Sequence, residues 1–211
     1  MDIAEKVLRA KQDYDDVYEA GKKAEYDAFW DVFQYGGKAM RYIWRFSYNN
    51  FTDKTYNPKY PIVCSDGANA GQNIFYSSSV TDTKVPIYAN SDLGGCFYWW
   101  RKGVTINKLV VQESTTYKLT FVDCNALKNI TIEGVIGQNF DIGDSPLTTE
   151  SIVSIMEHLS DTASGKTLTL NTDAVDNMIF PHTSAQSGAT YNSWDELVAS
   201  KSNWTISKRS A

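Results

Sequence analysis

A chain of 211 residues has room for one full domain with a small appendage, which excludes two independent globular domains. Aromatic residues make up 13% (6 Trp, 13 Tyr, 9 Phe) against 10 Leu, and Ser, Thr and Asn together number 51; this balance favours short strands and turns and excludes a leucine-driven helix bundle. A net charge of -5 leaves no basic surplus for a phosphate backbone, and the chain lacks a run of about 18 apolar residues, so neither nucleic-acid binding nor membrane insertion is expected.

Met1 leads directly into the charged stretch Asp2 to Lys11 without the apolar segment of a signal peptide, so Sec-dependent export is not expected. Cys64, Cys96 and Cys124, separated by 32 and 28 residues, match neither a disulfide framework nor a zinc spacing. They read as buried thiols.

Residues 1–34 predict a helix. Apolar or small residues recur at Ile3, Val7, Ala10, Tyr14, Val17, Gly21, Ala24 and Ala28, alternating steps of 4 and 3, with charges on the outer positions. Gly21, Ala24 and Ala28 offer little area, so self-association is expected along Ile3, Val7, Ala10, Tyr14 and Val17. Two arrangements fit: one amphipathic helix packed on its own domain, or a parallel homo-oligomeric stalk, for which a trimer is favoured. Residues 35–60 continue an aromatic-rich stretch that begins at Phe29, punctuated by Gly36-Gly37 and Asn49-Asn50, and read as a cap over the open end of the segment beginning at residue 61.

Over residues 61–142 an apolar-x-apolar frame reappears at Ile62/Cys64, Val85/Ile87, Leu109/Val111 and Ile130/Ile132, at spacings of 23, 24 and 21 residues. A second apolar position comes about halfway between frames, at Ile74-Phe75, Phe97, Phe121 and Ile142. A fixed period in the low twenties with two apolar segments per period predicts a solenoid whose short strands form a parallel sheet. Pro86 removes a ladder donor, so its strand must bend or leave that side unpaired.

The best-preserved copy runs from Phe121 through Cys124, Leu127 and Ile130 to Ile132. Its F-x-x-C-x-x-L-x-x-I-x-I pattern resembles the BspA-type leucine-rich repeat. The resemblance implies that Phe and Leu fill the coil, that Cys packs where the chain turns, and that I-x-I is the strand. In the preceding copy, Gly95-Cys96-Phe97 keeps Cys and Phe out of order. The frame predicts continuation at Leu168/Leu170 and Trp204/Ile206, with helices over 148–159, capped by Thr148 or Thr149, and over 193–200, capped by Ser193. The expected fold is therefore α+β: an N-terminal helix, an aromatic cap, and a short leucine-rich-repeat solenoid over 61–211 closed by a helical cap over 148–211.

The ending, from CNALKNITIEG through SPLTTESIVSIMEHLSDTASGKTLTL to WDELVASKSNWTIS, is similar to the C-terminal segment of leucine-rich-repeat proteins encoded by phages and prophages of gut Gram-positive bacteria. The opening VYEAGKKAEYDAFWDVFQ is similar to their N-terminal segment. The resemblance implies a non-enzymatic phage structural or host-surface-recognition protein located in the virion, at the tail or its surface, with other virion proteins or a host protein or glycan as partners. A purely structural tail or decoration subunit and a bacterial surface adhesin are the alternatives, the latter disfavoured by the missing signal peptide.

No catalytic residues, metal or cofactor are expected. Ser164-Gly165-Lys166-Thr167 lacks the leading Gly of a phosphate loop, having Ser160 there, and runs into a strand where such a loop needs a helix. His158 and His182 stand apart, and Asp141, Asp144 and Glu150 lack the alternating oxygen spacing of a calcium loop. The one stretch suited to binding is Phe97-Tyr98-Trp99-Trp100-Arg101-Lys102. Alternation with Phe97 inside, and Trp99 tending inward with it, predicts Tyr98, Trp100 and Arg101 at the surface, as a platform for a sugar ring or a partner protein. If the N-terminal seam assembles a stalk, light scattering will find an oligomer for the full chain and a monomer for a chain lacking residues 1–30; a monomer in both cases removes the stalk.

Overall fold

The computed structural model describes residues 55–56, 62–64, 81–83, 86–89, 97, 99–111, 113 and 119–210, and for 55–56, 62–64 and 88–89 the backbone alone. The expected helix over 1–34 with its seam, and most of the expected aromatic cap over 35–60, lie outside the described residues.

Two parallel sheets organise the described chain. The first holds β1 (Thr55–Tyr56), β2 (Ile62–Cys64), β3 (Asp82–Thr83), β4 (Ile87–Ala89), β5 (Thr105–Val111) and β7 (Asn129–Gly134). The second runs in the order β12 (Trp204–Arg209), β9 (Lys166–Asn171), β8 (Phe140–Asp141), β6 (Leu119–Thr120). Every pairing within these sheets is parallel. The chain alternates between them, β5 to β6 to β7 to β8, so each pass lays one strand on each sheet.

β3 and β4 lie end to end along β5: Asp82 and Thr83 pair with Thr105 and Ile106, whereas Ile87 to Ala89 pair with Leu109 to Val111. Pro86 stands in the gap and cannot donate to a ladder, so β4 starts at the next residue. This moves the register from the sequence frame. Ile87 and Ala89, in place of Val85 and Ile87, face both Ile62/Cys64 and Leu109/Val111. Because the slip is even, the inward face is unchanged, and Ile87 is fully buried.

A second adjustment occurs between β5 and β7. Ile106 pairs with Ile130 and Leu109 with Ile132, so three steps on one strand match two on the other through a bulge. The extra residue keeps all four side chains in the core. The frame therefore errs here as well, since Leu109 faces Ile132 and not Ile130. It errs again at the C-terminus: Leu168 and Leu170 do not continue the row of Ile130 and Ile132 but belong to the second sheet, where Leu168 pairs with Phe140 and with Ile206. Ile206 and Lys208, in place of Trp204 and Ile206, lie opposite Leu168 and Leu170.

Three helices occur among the described residues: α1 (Thr149–Glu157), α2 (Thr172–Asp176) and α3 (Trp194–Ala199). Each opens on a side-chain cap, from Thr148, Asn171 and Ser193 respectively, which accepts an N–H that the helix itself leaves unpaired. α1 comes after the turn that ends β8 just as β7 comes after the turn that ends β6, so it takes the next place in the first sheet's row. Its apolar residues Ile152, Val153, Ile155 and Met156 join the core cluster.

α1 buries two hydroxyls as well, because it meets the outer edge of β7. Ser151 Oγ accepts from the Ile130 N–H at 3.0 Å and Ser154 Oγ accepts from the Ile132 N–H at 2.9 Å. Ser151 also donates to the Lys128 carbonyl at 3.1 Å, and Gln186 Nε2 donates to the Ile132 carbonyl at 2.8 Å. Side chains thus replace the strand that would otherwise satisfy this edge. Immediately beyond, Leu159 bridges to Ile136 in parallel sense, and Ile136 N–H reaches the His158 carbonyl at 2.8 Å.

Residues 182–191 form an antiparallel hairpin of β10 (His182–Thr183) and β11 (Thr190–Tyr191), clasped to α1. Glu157 accepts from Ser184 Oγ at 2.8 Å and Tyr191 OH at 3.2 Å, and Glu150 meets His182 Nε2 at 2.7 Å. Burial first, and the Glu157 carboxylate beside it second, push the Tyr191 hydroxyl up to about 12. Replacing Ser151 and Ser154 together by Ala leaves two buried N–H groups unpaired, each costing about 1–3 kcal/mol. Urea denaturation should show a double variant weaker than either single one, whereas Ser202→Ala in the exposed turn before β12 should cost less than about 1 kcal/mol.

Candidate binding site at the 97–103 turn

The link between the sheets is a turn that recurs 24 residues later. Phe97, Trp99, Trp100 and Gly103 correspond to Phe121, Asp123, Cys124 and Leu127. Both turns place their third residue at positive φ, 58° for Trp99 and 56° for Asp123. Both close by the same contact, with Gly103 N–H on the Trp100 carbonyl at 3.2 Å and Leu127 N–H on the Cys124 carbonyl at 3.0 Å. A related turn occurs at Ile142 to Ser145, where Ser145 N–H reaches the Ile142 carbonyl at 3.1 Å.

Successive turns are tied by the residue at the Cys position. Cys124 Sγ donates to the Phe97 carbonyl at 2.9 Å, and Ser145 Oγ donates to the Cys124 carbonyl at 3.1 Å. Burial pushes the Cys124 thiol up to about 12, against a lowering by the Trp100 backbone contact and with Asp144 and Asp123 adding to the rise. The thiol therefore stays protonated at neutral pH and serves as a donor. Rings stack along the inside: Phe97 lies 4.7 Å from Phe121, nearly parallel, and Phe121 lies 5.6 Å from Phe140.

This recurrence corrects the expected placement of the aromatic cluster. Trp100 is not a surface residue; it is fully buried, with its ring 5.6 Å from Phe97. Strand alternation does not apply, because residues 99–103 form a turn with Trp99 in the left-handed region. Trp100 fills the Cys position of the repeat, and Cys96 lies outside the described residues. The larger ring is accommodated by a smaller partner, since Gly103 stands where the next turn has Leu127, and a Cβ on Gly103 would lie 2.2 Å from the indole. The pair Trp100/Gly103 thus fills a volume that Cys124/Leu127 fills one turn later.

Tyr98 lies outside the described residues. Arg101 is at the surface as expected, with 58% of its side chain exposed. Its guanidinium lies 5.1 Å from the ring centroid of Trp99 and 3.6 Å from the Asp123 carboxylate, which is 39% exposed. Trp99 is half-buried and held by its N–H on the Val122 carbonyl at 2.9 Å. Asp tolerates positive φ, but for Trp the left-handed region costs about 1–2 kcal/mol.

Behind Asp123, its own N–H donates to Asp144 Oδ2 at 2.9 Å, and Asp144 receives Arg209 Nη2 at 2.8 Å. Arg209 Nη1 also donates to Asp141 at 2.9 Å. Asp141 and Asp144 therefore hold the C-terminal strand, and Glu150 holds the hairpin; the three do not converge. Among the described residues, no group of three His, Cys, Asp or Glu side chains is placed to hold a metal ion. Lys166 and Thr167 lie in β9, and His158 Nδ1 meets the Ser154 carbonyl at 2.7 Å, apart from His182.

The surface group is thus Trp99, Arg101 and Asp123. Trp99 and Asp123 were legible only by aligning Phe97-x-x-Trp100 with Phe121-x-x-Cys124, which puts Trp100 inside and Trp99 outside. No family model, curated protein or solved structure matches the chain. Gly103→Ala should destabilise the fold by about 1–3 kcal/mol through overpacking against Trp100. Trp100→Cys combined with Gly103→Leu, which copies the next turn, should recover much of the loss of Trp100→Cys alone in urea denaturation. Additive losses would refute the shared volume.

Proposed function

We propose that the chain is a non-enzymatic binding module of the leucine-rich-repeat kind, carried by a phage or prophage of a gut Gram-positive bacterium. In this reading it sits in the virion, at the tail or its surface, assembles as a homo-oligomer through its N-terminal seam, and engages a protein or glycan of the host surface. The main support is the recurring turn: its inner positions are filled by core residues, while its outer positions carry groups that the core does not use. Function in such a repeat resides in those outer residues.

A chain with this role co-purifies with phage particles, and the isolated protein binds intact host cells. Particles that lack it, combined with no retention on host cells, would overturn the proposal. Co-purification without cell binding would favour a purely structural virion subunit, and export with wall anchoring would favour an adhesin.

A further inference from the structure

We propose that the hairpin over 182–191 is a proton-released clasp: it lies closed on α1 while Glu157 is ionised and opens in acid, ahead of the rest of the fold. Of its ten residues only Ser184 is buried, and its one contribution to the packing around the core is the partly buried Tyr191. Apolar burial therefore does little to hold it. The hold comes from donors that converge on two carboxylates of α1, Glu150 and Glu157, which stand seven residues, about two turns, apart and so share a face. Glu157 accepts from the hydroxyls of Ser184 at 2.8 Å, of Tyr191 at 3.2 Å and of Ser187. Glu150 accepts from the Ala185 N–H at 3.1 Å and meets His182 Nε2 at 2.7 Å. A third tie is the Gln186 amide, which bridges Ser154 Oγ and the Ile132 carbonyl.

The two arms answer to protons with opposite sign. A carboxylate accepts at both oxygens, and its acid form gives up part of that capacity to its own O–H, so charge-assisted bonds weaken on protonation. Glu157 receives three neutral hydroxyls and, among the described residues, forms no ion pair, so its arm loses strength as pH falls. After burial, the Glu157 charge is the next cause of the upward push on the Tyr191 hydroxyl, the same contact seen from its other partner. Glu150 faces His182, and imidazoles ordinarily gain their proton before carboxylates do, so that arm first gains a positive charge and tightens. The surrounding charges are engaged elsewhere. Glu196 of α3 accepts from the Asn192 N–H at 2.7 Å, Glu133 of β7 pairs with Lys108, Asp176 of α2 pairs with Lys208, and His158 Nδ1 meets the Ser154 carbonyl of its own helix. The Tyr191 end is thus released first, with the His182 end as its hinge, and opening frees the Ile132 carbonyl that Gln186 covers.

Amide hydrogen exchange on the full chain tests this, with protection corrected for the intrinsic rate at each pH. The Gly188 N–H, closed on the Ser184 carbonyl at 3.0 Å, reports the hairpin, and the Ile132 N–H, closed on Ser154, reports the sheet edge beneath it. Between about pH 7 and about pH 4, which spans the ordinary carboxylate range, protection of Gly188 should fall at least about tenfold further than that of Ile132. Glu157→Gln should protect Gly188 less than the unaltered chain does at the higher pH and should lose most of the further fall in acid, whereas Glu150→Gln should keep that fall. Tyr191→Phe combined with Ser187→Ala removes two donors from the same carboxylate without altering α1, and it should shrink the fall as well. This pair decides the matter if Glu157→Gln does not fold. Equal losses at Gly188 and Ile132 would mean ordinary unfolding and overturn the clasp. So would the absence of any acid response, or an acid response of full size in Glu157→Gln or in the Tyr191/Ser187 double variant.

Discussion

A stack of short parallel strands has to end somewhere, and its last strand offers a row of N–H and C=O groups with no next strand to meet them. In this chain the first sheet ends at β7, where Ser151 and Ser154 accept the N–H groups of Ile130 and Ile132. Much of the C-terminal half is arranged around that contact. α1 must lie along β7 for its hydroxyls to reach, so its apolar residues face the same core that the strands enclose. The hairpin over 182–191 is then fixed on α1 by Glu150 and Glu157, and it returns Gln186 to the Ile132 carbonyl. A helix of purely apolar inner face would fill the space and leave the edge unsatisfied. The two serines let one element both close the core and terminate the sheet.

The second sheet goes on past this point through β9 to β12, which is fastened by other means. Lys201, mostly buried, donates to the Leu159 carbonyl at 2.8 Å and to Asp161 at 2.6 Å, and Trp204 Nε1 donates to the Ser160 carbonyl at 2.9 Å. These contacts fall on the bend where the chain leaves α1 for β9. The outermost strand carries Lys208 and Arg209, both paired with carboxylates, a charged edge of the kind that discourages further strand addition.

The sequence was most readable where one residue does one job. The apolar frame located β2, β5 and β7, and capping residues with apolar period located α1 and α3, because these signals are local. Register was not readable, since it depends on Pro86 interrupting one row and on a bulge between Ile106 and Leu109, and both act across strands. α2 left little trace: Thr172–Asp176 is too short for an amphipathic period, and only the Asn171 cap marks it. The role of Ser151 and Ser154 left no trace, because nothing local tells a solvated hydroxyl from one facing a strand edge. Trp100 was misplaced for a different reason. Alternation is a rule for extended chain, and the turn over residues 99–103 is not extended, so the fitting comparison was with the next copy of the same turn.

That comparison also explains how the surface group is held steady. Asp123 is fixed by its backbone N–H on Asp144, and Asp144 is fixed by Arg209 of the closing strand, whose guanidinium packs so close to Gly143 that a Cβ there would lie 3.0 Å from Nε. Trp99 is fixed by its N–H on the Val122 carbonyl, in the residue just before Asp123. Trp99 and Asp123 are thus both held by one peptide unit, Val122–Asp123, and that unit is anchored through Asp144 to the last strand of the second sheet. A binding surface gains affinity when its groups need little ordering on contact. In the proposed role, the C-terminal strand would act on the site without touching it, by keeping Asp123 and Trp99 in register across two turns.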